Sequence, residues 1–108
     1  MGDSGPSWPT EPRVVVEVLN ASGRPGLARQ VTRLLRQRGV DVIYFGTAAA
    51  PSETTLVLVR RGELARGHQA LRALGRGLVR SAPDTLLRVD ATVLLGRDYR
   101  LPAGLPPL

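Results

Sequence analysis

Few side chains in this sequence could do covalent or acid–base chemistry, and their spacing argues against most of it. The one histidine, His68, has no second histidine and no cysteine with which to hold a metal, because the chain contains no cysteine. Leu64 and Leu71 stand near it at helical spacing, which predicts a histidine half-buried against a sheet. Ser22 and Ser81 are the serines that a triad would recruit, and neither sits in a nucleophile elbow. The nine acids are scattered and form no pair for general acid–base work, and Glu17 falls in a strand with its side chain expected in solvent. Gly23-Arg24-Pro25-Gly26 lacks the Lys and Ser/Thr that follow the last glycine of a phosphate loop, and it is not a dinucleotide fingerprint. The residues thus predict no catalytic group, no metal site and no cofactor.

Two groups of residues remain as candidates for binding. The first is Asn20, Ser22, Gly23 and Arg24, at the corner between a β-branched strand and a helix. A helix start carries unpaired N–H groups that can donate to an anion, so an anion or glycan contact competes here with simple capping of the turn by Asn20 and Ser22. The second is a basic face. All fifteen basic residues are arginine and the formal net charge is +6. The choice of Arg over Lys matches a GC-rich coding bias, whereas the excess over acids favours polyanionic partners. Arg29, Arg33 and Arg36 lie at i, i+4, i+7, opposite the apolar stripe of one helix, and Arg72 and Arg76 are spaced similarly on a second. Helices on one sheet face would gather all five arginines on a shared surface.

The elements that must position these residues follow from periodicity. Residues 1–12 are rich in Gly, Ser and Pro and read as a flexible leader, with Trp8 exposed within it. Strands are expected at Val14–Leu19, Val40–Phe45, Thr54–Arg60 and Thr92–Leu95, with a short one near Gly77–Arg80 and a turn at Ser81–Thr85. The apolar run Leu56–Val59 suits an interior strand. Helices are expected at Pro25–Arg38, ended by Gly39, and Gly62–Leu74, ended by Gly75. Leu27, Val31, Leu34, Leu35, Leu64 and Leu71 should pack on the sheet. Residues 101–108, with three prolines, form a tail. The chain is long enough for one domain with a real core, no apolar run approaches the roughly 18 residues of a membrane span, and no apolar segment near Met1 resembles a signal peptide.

The order β-α-β-β-α-β(-β) predicts a two-layer α/β sandwich, ferredoxin-like or a near variant, with both helices on one sheet face. Strict alternation puts Val40, Val42 and Tyr44 on one side of the second strand and Asp41, Ile43 and Phe45 on the other. The face away from the helices keeps several aliphatics and an aromatic. It is therefore expected to pack against a second copy, the tail or a partner.

Val18-Leu19-Asn20-Ala21-Ser22-Gly23-Arg24-Pro25-Gly26-Leu27-Ala28 resembles the opening motif of the LytR C-terminal domain family, in which Gly more often occupies the place of Ala21. Asp41-Val42-Ile43, Thr54-Thr55-Leu56-Val57 and Ala91-Thr92-Val93-Leu94-Leu95-Gly96-Arg97-Asp98-Tyr99 look like its later strands and its ending, so the resemblance spans about residues 13–100. It implies an accessory, non-enzymatic module of the bacterial cell envelope, extracytoplasmic and tethered or secreted. Its expected partner is an anionic wall polymer, peptidoglycan or an envelope protein. Nothing in the chain resembles the catalytic domain that such modules often follow. The alternative is a cytoplasmic nucleic-acid-binding module with an RRM-like topology. The charge fits that alternative, but the sequence has no RNP-like aromatic run for base stacking.

Overall fold

A computed structural model describes residues 13–102. The expected leader, with Trp8, and residues 103–108 of the expected tail lie outside the described residues. Seven elements follow in order: β1 (Val15–Asn20), α1 (Leu27–Gln37), β2 (Asp41–Thr47), β3 (Leu56–Val59), α2 (Leu64–Leu74), β4 (Leu78–Ser81) and β5 (Ala91–Leu95). They form one five-stranded sheet in the order β2-β1-β5-β3-β4.

Each helix connects two neighbouring parallel strands, β1 to β2 and β3 to β4. The two βαβ units are not interleaved as in a ferredoxin-like sheet, so the fold is a near variant of it. The last strand, β5, lies between them, parallel to β1 and antiparallel to β3. The crossovers step in opposite lateral directions on strands of opposite sense. Two right-handed crossovers of that kind lay their helices on the same sheet face. The helices accordingly touch: Arg38 Nη1 donates to the Ala73 carbonyl at 2.9 Å.

One core fills the space between helices and sheet. Val14, Val16 and Val18 from the β1 side, Val57 from β3, and Ala91, Val93 and Leu95 from β5 meet Leu27, Val31 and Leu35 of α1 and Ala70 and Leu74 of α2. Burying each valine or leucine side chain contributes about 1.5–3 kcal/mol. Tyr99 completes the core, fully buried, with its hydroxyl donating to the Leu74 carbonyl at 3.0 Å. Desolvation pushes the phenol up to about 12, with the nearby Arg38 charge opposing it.

The packing face of α2 differs from the expected one. Leu64 is 48% exposed and His68 is exposed, while Gly67, Ala70, Ala73 and Leu74 are buried. Leu71 is half-buried against the core as expected. The reason is proximity. A Cβ on Gly67 would stand 2.5 Å from Val59 Cγ2 and 2.7 Å from Val79 Cγ1, so α2 meets the sheet through its small residues.

The second correction is in β2. The register shifts between Val16 and Glu17, which pair with Val42 and Tyr44 respectively and leave Ile43 extra. This bulge reverses the alternation. Val42 is buried with the helix side, Tyr44 aligns with Glu17 on the open face, and Phe45 aligns with Val18.

Candidate functional site

The strand–helix corner is built by its own side chains. Asn20 Oδ1 accepts from the Ser22 amide at 3.0 Å and from Ser22 Oγ at 2.6 Å, while Asn20 Nδ2 donates to the Arg24 carbonyl at 2.7 Å. Ser22 Oγ in turn accepts from the Arg24 amide at 3.0 Å. Gly23 and Gly26 hold φ near +80°, a region that L side chains rarely adopt. Ala21 needs no positive φ. Its amide donates to the Leu95 carbonyl at 2.8 Å, which ties the corner to β5. The Arg24 guanidinium is drawn across the end of the sheet to the Tyr99 carbonyl.

Asn20 and Ser22 therefore spend their hydrogen bonds on the turn. Asn20, Gly23 and Arg24 also line a crevice of 440 Å³ at the carboxyl ends of β1 and β2, walled by Thr47 and the small apolar run Ala48–Pro51. Ser22 is buried and is not part of that lining. A second hollow of 290 Å³ shares Asn20 and Thr47 and continues past the first turn of α1 to Arg29. Among the described residues, the ionisable ones in the two linings are Arg24 and Arg29, and Thr47 carries their one side-chain hydroxyl. Such a surface can seat a small polar ligand.

The arginines of the helix layer separate into two kinds. Arg29, Arg33 and Arg72 are exposed and make no side-chain hydrogen bond or ion pair among the described residues. Arg36 and Arg76 are also exposed. Arg36 Nη2 reaches the Val42 carbonyl at the bulge in β2, at 2.7 Å, and Arg76 Nη1 reaches the Asp98 carbonyl at 2.9 Å. A carbonyl partner leaves the guanidinium charge in place. The ion pairs among the described residues are Arg13–Asp41, Arg61–Asp90, Arg66–Asp90 and Arg97–Glu53. None of them involves the five arginines singled out from the sequence.

Two clusters escaped the sequence reading. Asp90 is buried at the start of β5, where its carboxylate holds Arg61, Arg66 and the Val15 amide. Burial raises its pKa, and the Val15 N–H, the Arg61 hydrogen bond and the Arg66 and Arg61 charges outweigh that, holding it below the usual carboxylate range. The available signal was an acid wedged between Val89 and Ala91 in an apolar strand. At the other end of β5, Asp98 Oδ1 accepts from the Thr55 amide at 2.9 Å and from Thr55 Oγ1 at 2.7 Å, and Thr55 Oγ1 accepts from the Gly96 amide at 3.0 Å. Among the described residues, no group of three or more His, Cys, Asp or Glu side chains is placed to hold a metal ion.

The open face of the sheet carries two rows. Leu19, Leu94, Leu56 and Leu78 align across four strands, and beside them run Tyr44, Glu17, Thr92, Leu58 and Arg80. Glu17 accepts from Thr92 Oγ1 at 2.6 Å, and Thr92 Oγ1 accepts from Arg60 Nε at 3.0 Å. Glu17 is thus engaged in the sheet, not extended into water. Among the described residues Tyr44 is the lone aromatic on this face, and the strand order is not the interleaved one of an RRM. The nucleic-acid alternative is not supported.

Comparison with known proteins follows the same line as the geometry. The family model described as "LytR cell envelope-related transcriptional attenuator" (LytR_C) matches residues 13–99. Among curated proteins no sequence match is found. A similar solved structure is the crystal structure of the soluble domain of a conserved hypothetical secreted protein from Mycobacterium marinum, an ortholog of Rv2700. It has a TM-score of 0.57 and 22% identity over 82% of this chain and 62% of that one. This chain therefore spans less than two thirds of that domain, and the likeness is one of fold. The solution structure of the C-terminal domain of Rv0431 is also similar, with TM-score 0.48 and 23% identity over 86% of this chain and 80% of that one.

Proposed function

We propose a function from one premise: the chain belongs to the LytR_C family. The family's description relates it to the cell envelope, and the M. marinum domain is described as part of a secreted protein. Both support a site of action outside the cytoplasm, tethered or secreted. No helix among the described residues is long and apolar enough to cross a membrane. In the envelope the domain is a non-catalytic accessory module that holds an anionic wall polymer against its helix layer. The Asn20 crevice offers the same polymer a seat for a sugar or its anionic substituent.

One observation carries this reading: Arg29, Arg33 and Arg72 are exposed and have no carboxylate partner among the described residues. Arg29 and Arg33 stand one helical turn apart, where like charges cost a few tenths of a kcal/mol, roughly 0.2–0.5. A polyanion laid along the helix turns that repulsion into attraction.

The test is retention of the chain on purified cell-wall material across a salt series. Changing Arg29, Arg33 and Arg72 together to Gln should weaken retention by at least about tenfold at low salt. It should also flatten the salt dependence by up to about three counterions, one per lost contact. Retention that ignores both salt and the three substitutions would overturn the reading. Undiminished retention on wall stripped of anionic polymer would reassign the ligand to peptidoglycan, and no retention on either would leave an envelope protein as the partner.

A further inference from the structure

A third pocket lies at the opposite end of β1 from the Asn20 crevice. It has a volume of 450 Å³ and is lined by Arg13, Val15, Arg61, Gly62, Arg66 and Asp90. We infer that it is a binding site for a phosphate dianion, either inorganic phosphate or the phosphate end of a monoester. This inference stands apart from the helix-layer reading, because it uses none of the same residues.

A buried carboxylate lies beneath the pocket. Asp90 is 5% exposed, and both its oxygens are occupied. Oδ1 accepts from Arg61 Nε at 2.9 Å, and Oδ2 accepts from the Val15 amide at 2.9 Å and from Arg66 Nη1 at 3.1 Å. Its backbone is equally fixed: the Asp90 amide donates to the Val15 carbonyl at 2.7 Å, and its carbonyl accepts from Arg60 and Arg61. Asp90 thus holds two arginines by one edge each. A guanidinium has five N–H donors. Arg61 spends its Nε–H and Arg66 a single Nη1 hydrogen, and the remaining donors of both have no acceptor among the described residues.

Gly62 sets the turn over which Arg66 lies. Its φ is +80°, a conformation that L side chains rarely adopt, and Arg66 Cδ and Nε pack over it at ordinary contact distance, 3.4 Å from where a Cβ would stand. Arg13 enters from the sheet edge, where it is paired with Asp41 at 3.6 Å, both side chains half-exposed. An exposed pair of that length is easily exchanged for a better anion.

Charge and shape select the ligand. Three arginines and one buried carboxylate line the pocket, which leaves an excess of +2, or +1 when Asp41 is counted. A single arginine would neutralise Asp90, and the other two are surplus to that task. Guanidinium forks match phosphate and carboxylate oxygens in pairs. A carboxylate offers two oxygens, whereas a phosphate dianion offers three and can meet three forks at once. Because Asp90 already orders Arg61 and Arg66, less rotamer freedom is lost on binding.

The test is a titration of the full chain with inorganic phosphate at constant ionic strength. The arginine Nε–H signals and the Val15, Gly62 and Asp90 amides are followed by two-dimensional ¹⁵N NMR. Saturable shifts confined to those signals are expected. The affinity should fall several-fold as the pH is lowered through the second ionisation of phosphate, near 6–7 (about 6 in a phosphomonoester). Arg13→Gln touches only an exposed pair and should weaken binding several-fold with no change in the unfolding midpoint. Arg61→Lys with Arg66→Lys keeps a cation beside Asp90 but removes the forks, and should weaken binding about tenfold or more. Arg29→Gln with Arg33→Gln should leave it unchanged, which separates this site from the helix layer. Equal binding of glycerol 3-phosphate assigns the site to monoesters, and its exclusion assigns it to inorganic phosphate. Shifts that grow linearly over all exposed arginines would overturn the inference, as would saturable binding that is indifferent to Arg13→Gln.

Discussion

Asp90 ties four parts of the chain through one buried side chain: the start of β1, the β3–α2 turn, the first turn of α2 and its own place at the start of β5. Its pKa is held below the usual value, so its ionised form is favoured more by the folded state than by the unfolded chain. Stability from this source is full above the unfolded pKa of about 3.9 and is lost as pH falls through the lower folded pKa. Asp90→Asn should cost about 2 kcal/mol at neutral pH. That is less than the roughly 3–5 kcal/mol for breaking a fully buried pair, because Arg61 and Arg66 keep part of their surface in water. Urea unfolding of both proteins between pH 7 and pH 2 checks this: the gap should close only at the acid end, and a constant gap would contradict the linkage. At this scale Asn20, Ser22, Gly23 and Arg24 were legible as a turn, since their residue types are those a strand–helix corner demands. Asp90 was not, because its partners lie 24 to 75 residues away in the chain.

The two helices show what makes an element readable. α1 packs through Leu27, Val31, Leu34 and Leu35, large side chains whose spacing states which face is inward. α2 packs through Gly67, Ala70 and Ala73 beside Leu71 and Leu74, and because the small residues carry little hydropathy the exposed Leu64 drew the expected stripe partly off the buried face. The bulge in β2 was hidden for a different reason: one inserted residue reverses every later side chain without altering the composition of the run. The connection after β5 has a further hidden constraint. A Cβ on Gly96 would lie 2.4 Å from the Thr54 carbonyl carbon and 2.7 Å from the Thr55 nitrogen, both backbone atoms with no freedom to yield. Gly96→Ala should therefore force β5 away from β3 and cost about 3 kcal/mol or more, at the upper end of overpacking effects. In a domain of this size that is a fall of about 12 °C or more in Tm. A change of under 2 °C on thermal unfolding would show that the strand junction is more pliable than its contacts indicate.

At the scale of the molecule, the class of fold and the placement of both helices followed from element order and the handedness of crossovers. The strand order did not. β5 could have been added at either edge, and nothing local in Ala91–Leu95 reports that it lies between β1 and β3. Its position makes the two βαβ units mutually dependent, because β1 and β3 have no pairing of their own and meet only through it. A fragment ending at Arg88 should show no cooperative unfolding transition and no slowly exchanging amides in β1 or β3. Persistent protection in either unit would mean that the units are independently stable.

The central place of the last strand also sets a clock. Val16 pairs with Ala91, 75 residues later in the chain, so the loop that closes the sheet is nearly as long as the domain itself. Contacts of such range are reached slowly, because the entropy of closing the loop is lost before the contacts form. While the chain is being synthesised, the first βαβ unit emerges long before its neighbour in the sheet exists, and it has no finished edge to fold against. Completion waits for residue 99, whose ring closes the core behind β5, after which both units and the strand between them can lock together in one step. Until then the chain stays pliable, threadable and open to whatever handles unfolded polypeptides.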